Sequence, residues 1–458
     1  MSYNAAVKVV ALLTLLTAFV LCWFNAPLIW DGSYQLCRTL IDQRPFFYYT
    51  RFHSYPLWWP VVWLSRVTDN LHALIFAFGL PFCLAPAVSL LLSWWFVRRT
   101  APWLILWAAL GTYATALPGQ MFLVNDSIFQ QHLFWPFYLG LFVPLTPLQI
   151  AVLVILSAFQ LSHPLGGLLF LGAAITTASL ARLDLTNRRR WLVRTLFVLA
   201  LCIVAWAKIL LWPDPYAYEE ASFQMARSRF HDGVLGWPVV AVLCIWLCAI
   251  CVWWAGKHAN GDSPQRRLML CATVAFVLGA LALIVWAADP ARWNSAINYR
   301  RWAAPLTLPV FALAFLETMT PPRDAGLLSR SRSRLLLGCG LVFAVVLSWQ
   351  ALTWWNMIGR LMFEVESRRG PIVTVDSLQS IHGTALDHWS IVSLVLVSQG
   401  RSPTKLVLNS EGIPALEASA PRLELGSWDL QPIRRGTADW FDFSSILEQL
   451  RAKQNSAK

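Results

Sequence analysis

From Leu71 to Val97 the chain reads LHALIFAFGLPFCLAPAVSLLLSWWFV, with no acidic residue, lysine or arginine, and it stops abruptly at Arg98-Arg99. Such a stretch is stable in few places. About 20 consecutive apolar residues wound as a helix cross the hydrocarbon core of a bilayer with every backbone N–H and C=O paired inside the helix. The pattern recurs along the chain. Apolar runs of spanning length lie near 6–29, 71–97, 102–122, 192–212, 236–256, 268–287, 303–317 and 335–357. Residues 128–181 hold enough apolar sequence for three short spans more, broken near Pro144–Pro147 and near His163-Pro164. The sequence therefore predicts an all-α polytopic membrane protein with about 11 transmembrane helices.

Composition supports this. The 458 residues are 57% hydrophobic and only 13% charged, where a soluble domain carries about 25% charged residues. Tryptophan pairs such as Trp58-Trp59, Trp94-Trp95 and Trp354-Trp355 sit near the ends of apolar runs, as an interfacial aromatic belt would. The formal net charge of +12 suggests nucleic acid at first. The basic residues, however, cluster in short loops between apolar runs, which is the positive-inside pattern and argues against a nucleic-acid partner. The nine cysteines lie mostly within apolar runs and read as small hydrophobes rather than a disulfide framework. Cys244, Cys248 and Cys251 share a helical face, but no further ligand completes a metal site there.

The basic loops also orient the chain. With the N-terminus cytoplasmic, the loops holding Arg98-Arg99, Arg188–Arg190, Lys257–Arg267 and Arg323–Arg334 all fall inside. Asp31, Asp42, Asp126, Asp214, Glu219, Glu220, Asp232 and Asp289 then fall outside. This parity requires three spans between 128 and 181. The inner arginines need no role beyond setting topology. Residues 1–357 are expected to form the membrane domain, with membrane lipids as partners and an amphipathic outer loop at 30–69 lying in the interface plane. Residues 358–458 change character: strand-like PIVTV and KLVLN flank helix-like HWSIVSLVLVSQG, predicting a small C-terminal α/β domain on the extracytoplasmic (periplasmic) side. The first apolar run is too long for a signal-peptide core and reads as an uncleaved span. The expected location is multi-pass in the plasma (inner) membrane.

The residues suited to chemistry crowd onto the outer side. Asp31, in LIWDGSYQL, begins the first outer loop, which also carries Arg51 and His53 at headgroup level. Asn125 and Asp126 begin the next, in LVNDSIFQQ. Two carboxylates from separate loops are expected to converge on one outward cavity, where one takes a proton from an acceptor hydroxyl. Arg300 and Arg301, in INYRRW, are candidates to hold a phosphate, because the guanidinium fork matches its oxygens. Arg227, Arg229 and His231 are second choices, and Glu219 and Glu220 are candidate substrate contacts. Blander readings stand beside these. Asp31 also fits a helix-end flank or N-cap, Asp126 fits the N-cap of the fourth span, and Lys208 fits either a snorkelling anchor or a cavity-facing cation.

DGSYQL after the first span, FHSYPLWW in the following loop and NDS after the third span resemble the GT-C integral-membrane glycosyltransferases. That class includes the bacterial lipid A aminoarabinose transferases and the protein O-mannosyltransferases. The resemblance implies Asp31 as catalytic acid or base and Asp126 as the assisting acid of the second loop. It implies a polyprenyl-phosphate sugar as donor, a glycan, lipid or protein as acceptor, and an outer C-terminal domain. Gly32 stands where many members carry a second acid. The implied reaction is displacement at the anomeric carbon, with lipid phosphate leaving already charged. No compact ligand motif calls for a metal, and a divalent ion bridging carboxylate and phosphate is left open. The competing readings are a transporter or flippase of a lipid-linked or small polar substrate, a non-catalytic membrane scaffold, and a membrane acyltransferase built on His53, His132 or His163.

Overall fold

The computed structural model describes residues 3–45, 54–119, 124–161, 165–211, 263–289, 312–319, 325–384 and 390–408, with isolated residues between and after these stretches. The chain is mostly helical. Five described helices are long and apolar enough to cross a membrane. These are α1 (Tyr3–Trp23), α4 (Leu71–Val97), α8 (Leu165–Leu183), α9 (Arg188–Leu211) and the long α11 (Ala325–Ser367). Between them come α2 (Asp31–Asp42), α3 (Ser54–Leu64), α5 (Ile105–Gly119), α6 (Asp126–Gly140), α7 (Pro147–Gln160) and α10 (Ser263–Ala288). After α11, β1 (Ile372–Thr374) and β2 (Leu406–Leu408) pair in parallel, Val373 opposite Val407, joined through α12 (Ile391–Gln399).

Local chemistry sets several boundaries. The first apolar run stops as a helix at Trp23, not at 29, because Pro27 has no N–H to continue the ladder. The chain turns instead through left-handed Asn25 into the 3-10 turn Ala26–Leu28. Residues 126–183 form the three helices that their breaks predict, and α7 starts on a capping box of Thr146 and Gln149. α6 and α7, at 15 and 14 residues, rise only about 20 Å each. The 236–256 run lies almost wholly outside the described residues, and 303–317 lies largely outside.

α6 is the central helix. Each of its residues is buried, and it packs against α4, α5, α7 and α8. An apolar solvent supplies no hydrophobic drive between helices, so close backbone approach does this work. At Gly111 of α5, a methyl group would stand 1.8 Å from the Trp135 ring of α6. The aromatic pairs of the sequence do not all face headgroups. Trp58 of α3 is buried with its ring 5.6 Å from Phe78 and 6.1 Å from Phe82 of α4, contacts that each add about 0.5–1.5 kcal/mol. Trp354 of α11 is also buried, and its Nε1 donates to the Asn25 carbonyl at 3.1 Å. In these two pairs the helix turns one ring inward.

The bundle is polar end to end. α1 and α11 run parallel, Val10 against Gly340 at one end and Phe24 against Trp355 at the other. The end near Asn25 carries Asp31, Asp69 and Asp126. The opposite end carries buried and capping arginines. There Arg190 and Arg194 of α9 donate to the carbonyls of Leu141, Phe142 and Val143 at the end of α6, satisfying orphan carbonyls of a helix C-terminus. At the other end, near the start of α6, Lys208 caps α7 in the same way, its Nζ donating to the Leu161 carbonyl at 2.9 Å. In the α8–α9 turn, hydrogen bonds from Trp191 and Asn187 hold the Asp184 carboxyl below its ordinary range.

One arginine expected on the inner side departs from its expected role. Arg332 is not a solvated topology charge. It is buried in α11, and both ends of its guanidinium donate to the buried Glu317 carboxylate. Trp107 Nε1 of α5 donates to the same carboxylate at 2.6 Å. Glu317 sits in the helical stretch 312–319, so the cluster ties three segments together. A lone charge there would be far from water, and pairing is what makes the site tolerable.

Candidate functional site

The site grows out of the turn that follows α1. Asn25 and Trp30 both have positive φ, 56° and 53°. Asparagine adopts this region readily, but a bulky residue does so only under constraint. Trp30, at φ 53° and ψ −121°, carries a backbone cost of about 1–3 kcal/mol. The surrounding contacts hold it there. Ser390 Oγ donates to the Trp30 carbonyl at 2.8 Å, and Ser33 Oγ donates to the same oxygen at 3.0 Å. The peptide plane between Trp30 and Asp31 is pinned as a result.

Asp31 follows as the first helical residue of α2, half-buried, not as its cap. A carboxylate in the first turn meets the positive end of the helix dipole. Gly32 comes next, and its lack of a side chain is a packing requirement. A methyl group there would stand 1.8 Å from the Pro27 carbonyl oxygen and 3.6 Å from Cβ of Val124. The place where many GT-C members carry a second acid therefore has no room for any side chain. The same contact brings the second acid-bearing turn onto the first, since Val124 lies two residues before Asp126.

At that second turn the capping role belongs to Asn125, not Asp126. The Asn125 carboxamide oxygen accepts from the backbone N–H of Ser127 at 3.0 Å and of Ile128 at 3.3 Å. Asp126 is the first residue of α6 and is only 4% exposed. Farther along α6, a cavity of about 20 Å³ is lined by Ile128, His132, Cys83 and Phe343 among others. Neither acid lines it. Buried polar groups gather nearby: Gln130 and Gln160 exchange side-chain bonds with each other's carbonyls, and Ser89 donates to the His132 carbonyl at 2.6 Å. His132 Nδ1 and the Gln131 amide have no partner among the described residues.

Among the described residues no group of three or more His, Cys, Asp or Glu side chains is placed to hold a metal ion. The other candidates, Arg51, His53, Glu219, Glu220, Arg300 and Arg301, lie outside the described residues, as do Arg227, Arg229, His231 and His163. Sequence reasoning missed Ser390 and the strain at Trp30. The one available signal was a helix start at Asp31 directly after an apolar run, with bulky Trp30 at the junction.

The Gly32 contact makes a prediction. Gly32→Ala is expected to lower stability by about 1–3 kcal/mol, because the obstacle is backbone and cannot rotate away. Gly172→Ala, where nothing lies within 4 Å, is expected to be neutral or slightly stabilising. Thermal unfolding of both variants in one detergent checks this.

Compared with known proteins, the chain matches no family model, no curated protein and no solved structure.

Proposed function

We propose that this is a membrane glycosyltransferase of the GT-C kind, with about 11 spans and an outer C-terminal α/β domain, that moves a sugar from a polyprenyl-phosphate donor to an extracytoplasmic acceptor. The observation that carries the reading is the strained, doubly bonded turn that presents Asp31 against the turn bearing Asp126. Backbone strain persists where surrounding contacts over-determine it, and such places cluster at functional sites.

In the proposed reaction Asp31 accepts the proton of the acceptor hydroxyl. The freed oxygen attacks the anomeric carbon, a new C–O bond forms, and the bond from that carbon to the phosphate oxygen breaks. Its electron pair leaves with the lipid phosphate, which needs no protonation. One base therefore suffices, whereas glycoside hydrolysis pairs two carboxylates to protonate a poor leaving group. Asp126, at a helix N-terminus, is assigned to orienting the acceptor. Arg300 and Arg301 are assigned to the departing phosphate on charge and chain position.

A transporter reading draws on a different feature, the Gln131 amide and His132 Nδ1 inside the bundle, which have no partner among the described residues, since polar groups at membrane depth often mark substrate paths. Proteoliposomes separate the two. With a radiolabelled polyprenyl-phosphate hexose and an extract of envelope glycolipids, the transferase reading expects label on a new product and release of polyprenyl phosphate. Movement of the intact donor between leaflets with no new product is the outcome that replaces it.

A further inference from the structure

We infer that Ser390, from the segment after the last long helix, is a positioning residue for Asp31, so that the tail sets the orientation of the proposed base from 359 positions away in sequence. The inference rests on the role proposed for Asp31.

The geometry is specific. Ser390 is fully buried at the start of α12, which packs on α2. Its hydroxyl has one proton, and the Trp30 carbonyl lies 2.8 Å away. Ser33, also fully buried, places its own hydroxyl 3.0 Å from that carbonyl and 3.2 Å from Ser390 Oγ. The three groups close a ring in which a tail residue and an α2 residue converge on one oxygen. That oxygen belongs to the peptide whose N–H is Asp31's. Fixing the carbonyl fixes the plane, and with it the direction in which Asp31 leaves the turn. The conformation at Trp30 is one that a bulky residue leaves when released. Loss of the Ser390 bond therefore favours rotation of this peptide, and Asp31 turns with it. A second contact, Arg401 to Asp69 at 2.8 Å, holds the tail to the far end of the same region and reports separately on whether the tail stays docked.

Carbodiimide labelling of carboxylates, read by peptide mass spectrometry on the full chain in detergent, tests this without any need for activity. In Ser390→Ala the labelling rate of Asp31 is expected to rise roughly tenfold, with Asp69 labelling unchanged. Ser390→Thr, which keeps the hydroxyl, is expected to restore the wild-type rate. Ser393→Ala, a buried hydroxyl on the same helix with no hydrogen-bond partner among the described residues, is expected to change nothing. The inference is overturned if Asp31 labels at the wild-type rate in both Ser390→Ala and Ser33→Ala/Ser390→Ala. It is also overturned if Asp31 and Asp69 rise together, because the tail would then have undocked as a whole. The two proposals fail separately. An Asp31 that responds to Ser390 but proves dispensable for transfer removes the assigned reaction and leaves the positioning; an unresponsive Asp31 that transfer requires does the reverse.

Discussion

In the transfer assay, Asp31→Asn is expected to turn over about 10²- to 10⁴-fold more slowly than wild type, the range associated with losing a general base. Asparagine keeps the size and planarity of the side chain but cannot take a proton. Donor KM should change little, since the carboxylate is assigned to the acceptor. Stability should fall by no more than about 0.3–1 kcal/mol, the worth of a negative charge in the first turn of a helix. That split between turnover and stability is what distinguishes a base from a structural carboxylate. Unchanged turnover would remove Asp31 from the reaction. Asp126→Asn makes the companion measurement. Because Asp126 is buried and bears on the acceptor in the proposed reaction, its loss should raise acceptor KM more than it lowers turnover.

The second large effect lies at the opposite end of the bundle. Arg332→Met leaves the Glu317 carboxylate buried with Trp107 as its one remaining side-chain hydrogen-bond donor among the described residues, and breaking a buried ion pair on one side costs about 3–5 kcal/mol. The double variant Glu317→Leu/Arg332→Met removes both charges and should recover most of that loss. It still strands the Trp107 N–H, worth about 1–3 kcal/mol when unsatisfied. Adding Trp107→Phe removes that stranded N–H but leaves a cavity in a fully buried place, so it should return only part of the remainder. Thermal unfolding of the three variants in one detergent reads the series. If the double variant is no more stable than the single, the cluster does not act as a balanced pair.

These two sites show which parts of the molecule could be read from the chain. Asp31 announced itself because an acid at the edge of an apolar run is conspicuous, and its place at a helix start follows from local sequence. Ser390 did not, because a serine before an apolar helix resembles many ordinary helix starts. Its partner is an ordinary backbone carbonyl far away in sequence. Glu317 and Arg332 are 15 residues apart, and the arginine read from sequence as one of the inner topology charges. Only packing against Trp107 shows that the arginine is inward and paired. Asn125 and Asp126 stand side by side in a pattern that fits either as the cap, and the hydrogen bonds decide for Asn125.

The apolar runs and the breakers marked several of the described helices from the sequence alone, though not α2 and α3, which lie within the stretch 30–69 that reads as an outer loop. The second span, Leu71–Val97, stands as read, and the three helices between 126 and 183 are separated at the breaks near Pro144–Pro147 and His163-Pro164. The strands at 372–374 and 406–408 and the helix between them also follow from residue pattern. These are local consequences of backbone hydrogen bonding and side-chain solvation, so short windows carry them. The tertiary structure decided which groups meet: Val124 against Gly32, Ser390 on the Trp30 carbonyl, Arg332 on Glu317. Such contacts depend on how whole helices pack in three dimensions, and no periodicity within one segment encodes a partner in another.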